Sequence, residues 1–285
     1  MNRRSSDPLP LRDKVVVITG AASGIGRALA LDAAARGAVP AISDVDATGL
    51  QETAHLVHAA TGRKAHVDKL DVRDRAAWEA YAASVLAELG RADVIVNNAG
   101  VALSGDVDKV SHEQFELLVD IDFWGVVHGT RTFLPHVIAS GDGHVVNVSS
   151  LFGLLSVPGQ SAYNAAKFAV RGFTESLRQE MLVAGHPVQV HCVHPGGIKT
   201  AIARNAAAAE GVDAQGNAEF FDRKLARTSP EKAAQVILDG MLAGRPRILV
   251  GTDAKLLDAF VRLTGSGYQR VVAKVMSGRM GAVSH

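Results

Sequence analysis

The decapeptide SAYNAAKFAV, residues 161–170, sets a phenol, Tyr163, and an ammonium, Lys167, four positions apart among small residues. On a helix that spacing stacks both side chains on one face, one turn apart. A free phenol titrates near pH 10 and is a poor base at neutral pH, but a cation one turn away favours the phenolate. Oxidation of an alcohol needs such a group: while the carbon gives up hydride, the hydroxyl must give its proton to a base in a dry pocket. An ordinary surface pair has the same spacing, so the meaning of the pair depends on what else the chain carries.

A second constellation lies near the start. The run KVVVITG (14–20) is followed by TGAASGIG (19–26), with glycines at 20, 24 and 26. Gly20, Gly24 and Gly26 between a buried strand and a helix allow a tight turn, and they let backbone N–H groups approach a pyrophosphate at the helix N-terminus. A purely structural turn would use the same glycines, but Asp44 supplies context. It ends the second apolar run, eighteen residues after Gly26, where a carboxylate can accept hydrogen bonds from a ribose 2′-hydroxyl. Neither Ser23, before Gly24, nor Val45, after Asp44, offers a cation for a 2′-phosphate, so charge favours NAD over NADP.

These residues need a scaffold, and the apolar pattern describes one. Short β-branched runs recur at 14–20, 39–43, 64–68, 93–97, 144–149, 188–193 and 247–251. Helical patterns lie between them, at roughly 24–36, 47–60, 74–89, 111–139, 161–184 and 230–243. Strand alternating with helix throughout predicts an α/β fold, a doubly wound parallel sheet with right-handed crossovers and helices on both faces. Pro40 has no N–H for a ladder and is expected at the first strand position or a bulge. No composition break or repeat divides residues 11–251, which read as one domain after a short polar tail, 1–10. The connection 196–229 is long for a compact domain and is expected to be functional or mobile. Residues 252–285 form a C-terminal extension with apolar residues at helical spacing (Leu256, Leu257, Phe260, Val261), read as packing on a partner rather than on a membrane surface.

Composition excludes several function classes. The 285 residues are 47% hydrophobic, which rules out disorder for the bulk, and a formal net charge of +1 without a basic run makes a nucleic-acid partner unexpected. The single Cys192 sits in an apolar run and forms no internal disulfide, in keeping with a cytoplasmic location. Neither a signal peptide nor a membrane span is expected, because no apolar segment is long enough for either role. The eleven histidines are scattered without ligand spacing, so no metal is expected.

Five motifs occur in one order: TGAASGIG, NNAG (97–100), Ser150, YNAAK (163–167) and HPGGIKT (194–200). In these the chain resembles the classical short-chain dehydrogenases/reductases, over about residues 11–251. The resemblance implies a single-domain Rossmann fold with a seven-stranded parallel sheet, assembled as a homodimer or homotetramer through the helices near 111–139 and 161–184. It implies catalytic roles for Ser150, Tyr163 and Lys167, with Ser150, rather than Ser149, on the substrate oxygen. It implies a cofactor cleft formed by Gly20, Ser23, Gly24, Ile25 and Gly26, by Asp44, by Asp71 and Val72 near the adenine, and by Asn98, Ala99 and Gly100. Lys167 and Tyr163 reach the nicotinamide ribose in such a cleft, and Pro195, Gly196, Ile198 and Thr200 hold the carboxamide side. Asn97 is expected to brace the sheet.

One position departs from the family pattern. Where these proteins usually carry an asparagine three residues ahead of a glycine, this chain reads VDIDFWGVV, with Asp122 before Gly125. An ionised carboxylate accepts hydrogen bonds but donates none, and its charge opposes a nearby phenolate. Asp122 is therefore expected either to be tolerated, protonated or paired with Lys167, with catalysis moved to higher pH, or to impair a proton relay and leave a slow enzyme or a dinucleotide-responsive regulatory protein. The apolar stretch LFGLLSVPGQ (151–160), with Leu103 and the 201–221 loop, is expected to wall a pocket for a lipophilic secondary alcohol or ketone. Phe220 and Phe221 would close over it.

Overall fold

The computed structural model describes residues 9–283 apart from 203, 204, 221, 222 and 224, so most of the polar N-terminal tail and Phe221 lie outside the described residues. Seven strands form one parallel sheet: β1 (Val15–Thr19), β2 (Val39–Asp44), β3 (His66–Lys69), β4 (Val94–Asn97), β6 (Gly143–Val148), β7 (Val188–Pro195) and β9 (Arg247–Val250). Their order is β3-β2-β1-β4-β6-β7-β9, so the chain reverses its direction of travel between β1 and β4. Loops at the carboxyl ends of those two strands flank the crevice where open α/β sheets bind ligands.

The strands read as continuous apolar runs because both faces are covered. On one face, α1 (Gly24–Ala35), α2 (Ala47–Thr61) and α8 (Pro230–Leu242) pack Leu29, Leu50, Val57, Ile237 and Leu238 against Val16, Ile18 and Val96. On the other, α3 (Arg75–Leu89), α5 (Gly125–Ala139) and α6 (Ser161–Ala184) bury Trp78, Tyr81, Phe133, Leu177 and Met181. The Trp78, Tyr81 and Phe133 rings meet one another in tilted and edge-on pairs, with centroids 5.8–6.2 Å apart.

Local sequence signals set the helix limits. Asp46 and Asp74 accept backbone N–H groups at the starts of α2 and α3, and Gly62, Gly90 and Gly185 end α2, α3 and α6 in the left-handed conformation. Pro40 is the second residue of β2, one place later than expected. Val39 donates its N–H to Lys14 on the β1 side, which turns the nitrogen of Pro40 to the other side, and pairing with β3 begins only at Ala41. No ladder bond is lost.

Three regions differ from the sequence expectation. The segment 111–139 is not one regular helix: α4 (His112–Val119) and α5 are joined by a π-helical turn, Asp120–Trp124, closed by Gly125 N–H to the Asp120 carbonyl. The connection 196–229 contains β8 (Ala207–Ala208), which pairs in parallel with β5 (Leu103–Ser104), and the helix α7 (Ala214–Phe220). Backbone bonds from Ala207 to Ala102 and from Ala209 to Ser104 hold it to the body of the domain. The C-terminal extension forms α9 (Thr252–Thr264) and α10 (Tyr268–Val283), and it packs onto the residues after Ser150.

Candidate active site

Because β1 is buried and ends at Thr19, the chain must turn sharply at Gly20, and it does so at φ +66°, followed by Gly24 at +54°. Gly26 lies so close to the Gly20 carbonyl that any Cβ there would collide with it. Ser23 is the residue before α1 and its side chain makes no capping bond, so the turn and the first amides of the helix, Gly24 and Ile25, face the crevice as a bare N-terminus. Asp44 finishes β2 and accepts Ala22 N–H at 3.0 Å through Oδ2 and Asp46 N–H at 3.1 Å through Oδ1. Arg27, on α1 beside this turn, is committed to the Ala22 and Gly49 carbonyls, the Thr53 hydroxyl and the Glu52 carboxylate. Its charge is met by Glu52, and Asp44 stands opposite Lys69 in the register of β2 with β3.

Across the crevice, Asn98 and Ala99 donate their backbone N–H groups to the Thr19 hydroxyl, each at 3.0 Å, and the Asn98 amide donates to the Thr19 and Gly20 carbonyls. Gly100 leaves no spare room, since a Cβ would sit 3.3 Å from Asp122 Oδ1 and 3.4 Å from Lys167 Nζ. Asn97 is turned away into the core, donating to Thr130 Oγ1 and Asn147 Oδ1, and Asn147 donates to Thr174. This buried ladder ties β4 and β6 to α5 and α6 beneath the site. Asp71 pairs with Arg73 at 2.6 Å, which keeps its carboxyl below the usual range, while Val72 is buried against Gly125. At the far end, Thr200 lies against Gly24, with its methyl 3.2 Å from where a Cβ would be. Ile198, after the Pro195–Gly196 turn, is buried.

Ser150 leaves β6 and accepts Phe152 N–H at 3.1 Å, opening a short 3₁₀ turn, Leu151–Gly153. Ser149 instead donates its hydroxyl to the Lys167 carbonyl at 2.8 Å, so it anchors α6. On α6, Lys167 Nζ stands 5.5 Å from the Tyr163 ring centroid, forms an ion pair with Asp122 Oδ2 at 3.1 Å and donates to the Val148 carbonyl at 3.4 Å. Asp122 is fully buried, its Oδ1 accepting Val101 N–H at 2.8 Å. The π-helical turn brings it there: the extra residue in the helix rotates the following side chains, a device common at functional sites.

The electrostatics follow from burial and from this small cluster. Burial raises the Tyr163 phenol above its usual value; Lys167 pulls it down, Asp122 pushes it up, and a hydrogen bond with Ser150 pulls it down. Burial alone would lower the Lys167 ammonium, but Asp122 and Tyr163 more than reverse that and hold it high. Burial raises the Asp122 carboxyl against the opposing pull of Lys167 and the Val101 amide. Lys167 is thus the cation of a three-membered group, shared between the carboxylate and the phenol.

The wall beyond Ser150 differs from the sequence expectation. Leu151, Leu154 and Leu155 are buried in a cluster with Ala254 and Tyr268 of the C-terminal helices, and Leu103 is buried with Leu118, Ala162 and Ala166. Phe152 is the residue of this stretch that meets the tyrosine, edge-on at 6.1 Å between centroids. Sequence reading also missed Asp253 and Asn164. Asp253 accepts Gly197 N–H at 2.7 Å, and Asn164, beside Tyr163, binds Phe152, Leu155 and Val157. The asparagine of YNAAK was in view as part of a motif, but neither partner set has a local signature. Among the described residues no three metal-binding side chains converge, and no helix is long and apolar enough to cross a membrane.

Comparison with known proteins agrees with this geometry. The short chain dehydrogenase family matches residues 14–211. The protein SadH of Mycobacterium tuberculosis is 60% identical over 260 residues, 91% of this chain and 94% of that protein. A short chain dehydrogenase/reductase from Burkholderia phymatum, solved in complex with NAD, superposes with a TM-score of 0.84 at 28% identity, over 91% of this chain and 96% of that one. A short chain dehydrogenase from Mycobacterium paratuberculosis, solved bound to NAD, gives 0.75 at 28% identity over 87% and 99%. The chain belongs to the short-chain dehydrogenases, and it is an oxidoreductase of that type, acting on CH–OH groups.

Proposed function

We propose that the protein is an NAD-dependent dehydrogenase interconverting a lipophilic secondary alcohol and its ketone, with Tyr163 as the proton-transferring residue. The observation that carries this reading is the buried Lys167 ammonium standing between the Tyr163 ring and the Asp122 carboxylate, because a protein that only bound a dinucleotide would have no use for a phenol held against a buried cation. When bound, the dinucleotide supplies the hydride acceptor. Its fit is supported by the Gly20–Gly26 turn, which leaves room for no Cβ at Gly26, by the bare α1 N-terminus and by the Asp44 carboxylate at the end of β2, which accepts Ala22 N–H beside that turn.

The residues of the chain then divide the work. Ser150 donates a hydrogen bond to the substrate oxygen, Tyr163 takes the hydroxyl proton in oxidation, and Lys167 stabilises the phenolate and reaches the ribose. Asp71, Val72, Asn98, Ala99 and Gly100 line the adenine and ribose side, and Pro195, Gly196, Ile198 and Thr200 the nicotinamide side. Phe152, Val101 and Phe115, half-buried near Tyr163, support an apolar substrate. Leu117, Trp124 and Phe168, exposed on α4, the π-helical turn and α6, support assembly as a homo-oligomer, which light scattering tests.

A specific observation favours a second reading, a slow or regulatory dinucleotide-binding protein: Asp122 keeps a carboxylate against Lys167 and raises the phenol. One experiment separates the two. NAD+ and NADP+ reduction is followed with a panel of lipophilic secondary alcohols and polyols from neutral to alkaline pH. Turnover with NAD+, rising with pH and faster on lipophilic alcohols, is expected; tight NADH binding with no turnover of any alcohol selects the regulatory reading, and faster polyol turnover removes the lipophilic substrate.

A further inference from the structure

The residues after Ser150 are held from two sides. From α6, Asn164 donates to the carbonyls of Phe152 at 2.7 Å and Leu155 at 2.9 Å and accepts Val157 N–H at 3.2 Å. From α10, the Tyr268 hydroxyl accepts Ser156 N–H at 2.9 Å, across 112 residues of chain. The Tyr268 ring is buried with Leu151, Leu154, Leu155 and Ala254. Two consecutive amides, Ser156 and Val157, therefore end on side chains, so the corner takes its shape from Tyr268 and Asn164 rather than from a strand or helix of its own.

The same extension reaches the opposite wall. Asp253, in the first turn of α9, accepts Gly197 N–H at 2.7 Å, and its carboxylate occupies the space that a Cβ on Gly196 or Gly251 would need. The turn that follows β7 thus closes around a side chain from beyond residue 251. The extension touches the substrate wall through one polar contact and the nicotinamide-side turn through another.

We propose that Tyr268 and Asp253 are positioning residues through which the C-terminal helices set the two walls of the site separately: Tyr268 fixes the 152–157 wall and with it the selection among alcohols, and Asp253 fixes the Pro195–Gly197 turn and with it cofactor binding. The proposal rests on the dehydrogenase reading given above. Neither residue touches the reacting atoms; each acts by holding backbone that would otherwise present an unmade, partly buried N–H. Walls held this way lose their shape without losing the fold, because β6, β7 and α6 are secured by their own ladders and packing.

The test uses the full chain and three variants, Tyr268→Phe, Asp253→Ala and Asp253→Asn. Hydrogen exchange is read over 152–158 and 195–199, alongside NAD+ affinity and the separate kcat and KM of the best alcohol. Loss of one such bond is expected to speed local exchange about five- to tenfold. Tyr268→Phe should do so in 152–158 alone, raise the alcohol KM by a similar factor, narrow the preference between long and short alcohols and leave NAD+ affinity unchanged. Asp253→Ala should do so in 195–199 alone and weaken NAD+ binding, and Asp253→Asn, which keeps an acceptor oxygen, should recover most of that loss. Loosening of both segments by either variant, or exchange and kinetics equal to the parent in both, overturns the proposal. If the parent oxidises no alcohol, the dehydrogenase reading fails by itself, and the exchange patterns still decide whether the two walls are held separately.

Discussion

Around the glycine-rich turn, contacts come from neighbours in the sheet: Asp44 accepts Ala22 N–H, Thr19 accepts two amides of the Asn98–Ala99 peptide, and Gly26 meets the Gly20 carbonyl. The wall beyond Ser150 depends instead on Tyr268, 112 residues downstream of its partner, and on Asn164. The first region is held by short strand-end side chains from adjacent strands and by a backbone approach at Gly26 that leaves no room for a Cβ. The second is a loop shaped by side chains, where a single substitution changes geometry without breaking the sheet. A dehydrogenase that keeps one cofactor while its substrate differs would be built in this way.

Tyr163→Phe should separate the two regions most sharply. Removing the phenolic oxygen should lower turnover by about 10²- to 10⁴-fold, while dinucleotide affinity, titrated by fluorescence, should fall by no more than about tenfold, the cost of one hydrogen bond to the ribose. A variant that keeps its turnover would remove Tyr163 from the chemistry.

Acid should act on three buried histidines of β6 and β7, of which His194 alone touches the wall after Ser150. His144 and His191 are hydrogen-bonded to each other at 3.0 Å across β6 and β7, and His194 donates to the Ser150 carbonyl at 2.8 Å. Burial pushes all three down to about 4. Folded-state values below the unfolded value of about 6.5 mean that the unfolded chain binds these protons first. Their stabilisation is complete above that pH and is lost between about 6.5 and 4, with a limiting slope of about 1.4 kcal/mol per pH unit for each histidine. Urea midpoints that stay flat from neutral pH to about 4.5 would contradict this.

Gly26→Ala strikes the other region. Its methyl would collide with the Gly20 carbonyl, a backbone atom that cannot step aside, so we expect a loss on the order of 1–3 kcal/mol in stability and weaker dinucleotide binding. The check is a thermal melt with and without NAD+; an unchanged ligand-induced shift would show that the turn tolerates a side chain.

The smallest effect expected is a shift of pH profile. Asp122→Asn removes the charge that raises the Tyr163 phenol, so the rising limb of oxidation should move to lower pH. If the profile and turnover match the parent, Asp122 neither tunes the base nor impairs the relay.

Much of the fold was legible because its signals are local. The seven buried runs and the helical patterns between them are each read from a short stretch of chain. The break in 111–139 was not, since a π-helical turn differs from an α-helix by one residue and leaves the apolar pattern nearly intact. The pairing of β8 with β5 was hidden for another reason: it lies in an alanine-rich stretch with no strand signature.

For the site, the sequence by itself determined which groups are available: Tyr163 and Lys167 on one helical face, Ser150 at a strand end, three glycines after β1 and a carboxylate at 122. Spacing along a helix or strand is fixed by backbone geometry, so those relations needed no fold. Only the tertiary structure decided that Asp122 meets Lys167 at 3.1 Å, that Leu151, Leu154 and Leu155 turn toward the C-terminal helices, and that Asp253 and Tyr268 hold opposite walls. Those contacts join residues distant in the chain, and it is the packing of whole elements that brings them within reach.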